Sequence, residues 1–240
     1  MGPRPRGNDE PGAVALTAID LSRLMTWLSP SFPVGGYSYS HGLEWEIGSG
    51  KIRDAAALAG WIADVLRHGA GRSDLVFLAE SWRAVAGGDA RALTEVAELA
   101  AAFAPSAERR LETLAQGAAF LLAIRAVWPS PALDLLGGSA PEVAYPVAVG
   151  ASAAAHALPL VAAAQAFCQA FSANLVSAGV RLIPLGQTDG LRVLAQLEPL
   201  IPGIVAGALA AGLDDVGGVA VAADIASMRH ETQYTRLFRS

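Results

Sequence analysis

The chain has 240 residues, of which 53% are hydrophobic and only 16% charged, against about 25% charged in an ordinary soluble domain. A net charge of -5 and a pI near 5.3 exclude the basic face that nucleic-acid binding needs. Cys168 is the sole cysteine, which excludes an internal disulfide and fits a reducing, cytoplasmic setting.

The opening segment MGPRPRGNDEPG has no apolar h-region and does not read as a secretory signal. Residues 1–14 read as a disordered arm, residues 15–226 as an all-α domain, and residues 227–240 as a tail of different character. Thr17-x-x-Asp20 has the form of a capping box. Leu21, Leu24, Met25 and Leu28 follow it at i, i+3, i+4 and i+7, the spacing of a buried helical stripe. Asp54, Ser73, Asp89 and Ser106 are positioned to cap four more helices, with breaks at Gly87-Gly88 and Pro105 and with the last helix reaching Trp128. Pro146 and Pro159 are placed as first-turn prolines of two further helices. Thr188 or Asp189 caps another, Pro202 starts a Gly/Ala-rich one, and Gly217-Gly218 precedes the last. No segment alternates β-branched residues with period two. The expectation is one all-α domain of about nine or ten helices.

From Val143 to Val180 no residue is charged, a length that could cross a bilayer. The stretch is mostly alanine, carries His156, Gln165, Gln169 and Asn174, and is divided by Pro159. It lacks basic or tryptophan flanks, so it reads as two buried helices, with no membrane partner.

Several catalytic signatures begin and then fail. Gly48-Ser49-Gly50-Lys51 resembles the end of a phosphate-binding loop, but Ile52 stands where Ser or Thr is required. Gly36-Tyr37-Ser38-Tyr39-Ser40 lacks the closing glycine of a nucleophile elbow. His230-Glu231 begins like a zinc-protease motif, but Tyr234 replaces the second histidine. The four histidines lie far apart and no metal-ligand spacing is present. The expectation is a non-enzyme with no metal site and no cofactor.

Two segments stand out. Ser29 to Glu46 is an irregular linker rich in Pro and Gly, in which Ser40 can cap a short helix bearing Glu44. Its Tyr37 and Tyr39 suit either a surface groove or the core. The tail, Ser227 to Ser240, sets Tyr234, Leu237 and Phe238 at helical spacing among Arg229, Arg236 and Arg239. Tyr and Arg dominate interface energy, so the tail suits a partner anchor; a strap folded on its own domain is the equal alternative.

Together these segments resemble the UreF family of urease accessory proteins. An SPxxPVGxxxYSxGLE element is matched from Ser29 to Glu44. An RLxPLGQ element is matched by Arg181, Leu182, Pro184, Leu185, Gly186 and Gln187. The ending MxHExxxxRLFxS is matched by Met228, His230, Glu231, Arg236, Leu237, Phe238 and Ser240. The segment SAERRLETLAQG, Ser106 to Gly117, is similar more loosely. The resemblance implies a cytoplasmic, all-helical homodimer that joins the accessory protein UreD (UreH), recruits the GTPase UreG and serves nickel delivery to apo-urease. On that reading Pro33, Gly35, Tyr37, Tyr39, Ser40, His41, Glu44, Gln187, His230, Glu231, Tyr234, Arg236, Leu237, Phe238 and Arg239 contact partners. Arg181, Arg236 and Arg239 are candidates for a residue acting on the GTPase. Gln187, Asn174, Gln169 and His156 are candidates for lining a nickel path, or simply polar groups satisfied by the backbone.

Overall fold

Side-chain caps start four of the described helices where the sequence placed them. In the computed structural model, which describes residues 15–136 and 142–240, the Thr17–Asp20 capping box is formed at the head of α1, Ala18–Trp27. The arm expected over residues 1–14 lies outside the described residues. Asp54, Asp89 and Ser106 accept the third-residue amides of α3 (Ala55–His68), α5 (Ala90–Ala102) and α6 (Ala107–Val127). Each such cap satisfies an amide that the helix itself cannot, at about 1 kcal/mol. The short α2 spans Leu43–Gly48 and α4 spans Ala70–Ala86. The remaining elements are α7 (Tyr145–Ala155), α8 (Leu160–Leu182), α9 (Gln187–Leu197), α10 (Ile201–Ala210) and α11 (Val221–His230). Among the described residues there are eleven α-helices, four 3-10 turns and no strand.

Some starts and faces differ from the expectation. Helix α4 begins at Ala70, one turn before Ser73, because the chain reverses out of α3 through the single residue Gly69. Ser73 is then a buried residue of the first turn rather than a cap. Asp189 acts from the third position of α9, its carboxylate accepting the Gly186 amide at 3.2 Å, and Gly186 occupies the cap. Pro159 is the cap of α8 rather than a first-turn residue. In α1 only Leu24 and Trp27 are buried, whereas Leu21 and Met25 of the expected stripe face solvent. That helix lies at the edge of the molecule and touches the body along one line.

Helix α4 is the axis of the bundle, in contact with α3, α5, α7, α8 and α10. Its tightest neighbour is α7, which is buried from Pro146 to Ala153 on every side. A helix apolar all round belongs in a core, and this accounts for half of the charge-free stretch. The other half is α8, which buries Ala163, Ala164, Phe167, Cys168, Leu175 and Val176 and turns Gln165 and Gln169 outward. By length and composition 160–182 and 187–210 are apolar enough to cross a membrane; in the fold both segments pack against the other helices of the bundle.

Close approach explains the small residues. A Cβ on Gly150 of α7 would lie 2.2 Å from the Leu78 carbonyl oxygen and 2.3 Å from Ser81 Oγ of α4. Both are held in a helix, so the helices themselves would have to part. We expect Gly150→Ala to destabilise the protein by about 1–3 kcal/mol, the usual cost of overpacking, read as a lower urea midpoint.

Candidate functional site

Residues of all four recognised segments come together, and Glu44 binds the tail directly while Arg181 joins from the RLxPLGQ element. The turn into α2 needs Gly42 at φ +77°, and a side chain there would strike the Ser227 amide of α11 at 2.5 Å. The turn therefore lies directly on α11, with Glu44 buried behind it. Its Oε1 accepts the Leu237 amide at 2.7 Å and its Oε2 the Phe238 amide at 2.9 Å. His230 Nε2 lies 3.1 Å from Glu44 Oε2, and His230 Nδ1 lies 2.6 Å from Glu108 Oε2 on α6. His230 is wholly buried. Both ring nitrogens face carboxylates, so the ring ties the tail segment, α2 and α6 together.

Further bonds hold the tail along its length. The Ser240 main-chain oxygen accepts from the Ser40 amide at 2.7 Å and from Ser40 Oγ at 2.5 Å, and the Arg239 amide donates to the Ser38 carbonyl at 2.8 Å. Glu231 Oε1 accepts the Ala107 amide at 2.7 Å, satisfying a free donor at the start of α6. Arg236 pairs with Glu108. Arg181, from the RLxPLGQ element, places its guanidinium 4.4 Å from the Phe238 ring centre and donates to the Tyr37 carbonyl at 2.9 Å.

The expected partner-binding residues therefore divide. Tyr39, Ser40, His41, Glu44, His230 and Phe238 are buried, and Gly35 is half-buried; Ser40, Glu44, His230 and Phe238 serve the clamp, and His41 the charged cluster behind it. Pro33, Tyr37, Glu231, Arg236 and Arg239 are exposed, and Tyr234 and Leu237 project almost fully into solvent, Tyr234 at 102% relative exposure and Leu237 at 64%. Gln187 is exposed at the head of α9 and takes no part in the clamp. The helical turn expected over Tyr234–Phe238 is not formed. The segment is irregular because its amides bond to Glu44 instead of to one another. Phe238 thus packs inside this chain, not beside Tyr234 and Leu237. Of the polar residues considered for an interior path, Gln169 and Gln187 face outward, and His156 contacts the Ser152 and Trp128 carbonyls at 2.8 and 3.0 Å. Asn174 alone of the four lines the cavity described next.

Behind the clamp lies a charged cluster. Arg109 pairs with Glu112, and His41 Nε2 sits 2.8 Å from both Glu112 Oε1 and Arg109 Nη1. Ser240 Oγ donates to Glu112 Oε2 at 2.6 Å and Gln116 Nε2 to its Oε1 at 3.1 Å. Burial alone would raise the Glu112 carboxyl, but Arg109, His41 and the Ser240 hydroxyl together hold it down to about 2. Burial, with Arg109 next to it, lowers His41. Two cavities of about 170 and 140 Å³ flank this cluster, and Asp74, Arg109 and Thr113 line both. Asp74 has no hydrogen bond or ion pair among the described residues, and burial pushes its carboxyl up to about 7. Asp74, Glu108, Arg109 and Glu112 were absent from the sequence-based set. The signal available was Arg109, Glu112 and Gln116 at i, i+3 and i+7, a polar stripe on a long helix in a weakly charged chain.

Two outcomes follow. Glu44→Ala should cost about 3 kcal/mol or more, since bonds to a buried charge contribute about 1.5–3 kcal/mol each, and should expose the tail to limited proteolysis. Asp74 binds a proton more tightly folded than unfolded, so its contribution to stability is full below about pH 4 and is lost as pH rises through about 7. Asp74→Asn should therefore be more stable than the parent at pH 8, by on the order of 3 kcal/mol, and this gain should vanish near pH 4. Denaturant titrations of both proteins across that range provide the check.

The comparisons with known proteins place the chain in a family. The UreF family model matches residues 52–198. The urease accessory protein UreF of Rhodopseudomonas palustris (strain HaA2) is 57% identical over 221 residues, covering 92% of this chain and 93% of the relative. That of Bradyrhizobium sp. (strain BTAi1) is 52% identical over 231 residues, covering 95% and 96%. That of Xanthobacter autotrophicus (strain Py2) is 52% identical over 230 residues, covering 95% of each. With the family model over more than half of the chain and full-length relatives above one-half identity, the chain belongs to the UreF family.

Proposed function

We propose that this protein is a non-catalytic scaffold of urease maturation, which binds the accessory protein UreD (UreH) and recruits the GTPase UreG for nickel insertion into apo-urease. On this reading it works in the cytoplasm as a homodimer, without a cofactor and without contact to membrane or nucleic acid. One observation carries the proposal: the clamp fixes the main chain of the tail while leaving Tyr234, Leu237 and Arg239 pointing outward, beside the exposed Tyr37 loop. The Arg239 amide bonds to the Ser38 carbonyl, next to Tyr37, so loop and tail form one continuous face. A surface whose backbone is fixed in advance loses less conformational freedom on docking, and affinity rises accordingly. An exposed Tyr beside an Arg matches the composition of interface hot spots, and Leu237 adds apolar area next to it.

The two tail readings thereby combine. The segment straps its own domain through backbone amides and Phe238, and it offers the remaining side chains to a partner. Arg239 has no side-chain partner among the described residues, which favours it over Arg181 and Arg236 as the arginine reaching a partner.

The test replaces Tyr234 and Leu237 with alanine, singly and together, and reads co-purification with UreD and with UreG. Each substitution is expected to weaken complex formation by about 2 kcal/mol, or roughly thirtyfold, with the melting temperature unchanged. Arg236→Ala should lower binding too, while losing less than about 1 kcal/mol of stability, because the Arg236 side chain is 40% exposed and Glu108 keeps its contact with His230. Full retention of both partners by the Tyr234/Leu237 double variant would remove the proposal's support.

A further inference from the structure

The larger cavity contains polar groups that the fold leaves without partners. Arg109 is 7% exposed and uses only Nη1 toward the protein, in bonds to Glu112 and His41. Its Nε and Nη2 have no partner among the described residues. His41 is 8% exposed, and its Nδ1 is buried with no hydrogen bond. Both residues line a cavity of about 170 Å³ whose walls include Phe167, Phe171 and Tyr145. Its mouth is formed by Ser29, Pro30, Val34 and Tyr37, so the linker segment frames an opening as well as a docking loop. Unpartnered donors in a mostly apolar chamber are costly unless a ligand or water meets them. A volume of this size holds one small ring.

We propose that this cavity is a binding site for a small carboxylate, held by the free edge of the Arg109 guanidinium, with its hydrocarbon part against the aromatic wall. A guanidinium edge offers two parallel N–H groups that match a carboxylate. His41 Nε2 lies 2.8 Å from Glu112 Oε1 and donates to that carboxylate, so Nδ1 of the neutral ring is an acceptor, and the donors to the ligand come from Arg109. Glu112 does not compete for these donors, because it is already satisfied by Ser240, Gln116, His41 Nε2 and Arg109 Nη1.

Asp74 sets the pH dependence. The charged and titratable groups around it are Arg109 and Glu112 from α6, His41 from the loop before α2, Tyr145 from α7 and Asp224 from α11. An ionised Asp74 would repel an anion seated on Arg109, whereas its protonated form donates a hydrogen bond. With its carboxyl pushed up to about 7, carboxylate binding takes up one proton above neutrality. Affinity then falls up to tenfold for each pH unit above about 7.

The experiment titrates the full chain with benzoate, benzamide and benzylamine by calorimetry between pH 6 and 8.5. Benzoate is expected to bind best, to weaken with rising pH, and to lose that pH dependence in Asp74→Asn while still binding. Ala170→Phe, on the α8 wall, fills the chamber without touching the polar cluster and should abolish binding with the circular dichroism spectrum unchanged. Should that variant misfold, the smaller Ala173→Leu on the same wall should weaken benzoate at least tenfold. Equal or tighter binding of benzamide or benzylamine, binding of none of the three, or benzoate binding that persists when the chamber is filled would overturn the assignment. The site is separate from the Tyr234–Leu237 face, so its failure leaves the scaffold reading untouched.

Discussion

A single buried carboxylate organises the working end of this molecule. Glu44 takes the amides of Leu237 and Phe238 and lies 3.1 Å from Nε2 of His230. A buried carboxylate without donors is strongly unfavourable, and two amides without acceptors are nearly so. Each therefore requires the other, and the tail is ordered because the loop is. Gly42 is part of the same constraint, since only a residue without a side chain lets the turn lie against the Ser227 amide. Phe238 then closes the core, under the Arg181 guanidinium.

This arrangement suits a protein whose work is to be bound. The clamp is charged and buried, and it restricts the chain to one geometry. The groups it leaves outside include an aromatic and a cationic side chain, the types enriched where interfaces gain most of their energy. The rest of the bundle serves as a rigid support. Helix α7 packs on α4 so closely that Gly150 has no room for a methyl group, and close-packed helices of small residues transmit position rather than absorb it. The polar cluster of His41, Arg109, Glu112 and Asp74 lies directly behind the clamp and is bonded to it through Ser240. Conditions inside the cavities therefore bear on the same structure that holds the tail.

Much of the architecture was legible in the chain. Capping residues, proline positions and glycine breaks located most helix starts, because those signals act over three or four residues and need no tertiary partner. The charge-free run from Val143 to Val180 read correctly as two buried helices, since interrupted alanine-rich segments suit a core. The α4 start was misread because Ser73 is a good cap in isolation, while the one-residue reversal at Gly69 depends on how α3 and α4 pack. The α1 stripe was misread for a related reason: periodicity names the apolar faces but not which of them finds a neighbour, and Leu21 and Met25 find none. The helical spacing of Tyr234, Leu237 and Phe238 misled in turn, because Glu44, far away in sequence, takes the amides that a helix would have used.

The chain by itself determined an all-helical fold, its family and the segments that matter, since these follow from local caps, periodicity and short motifs. The tertiary structure alone decided which motif residues are buried and which are offered outward. Glu44, His230 and Phe238 became internal struts, while Tyr234 and Leu237 remained free. The physical reason is that hydrogen bonds to Glu44 from residues almost two hundred positions away carry no signature in local sequence. Such bonds exist only once the two ends of the chain have been brought together around the same core.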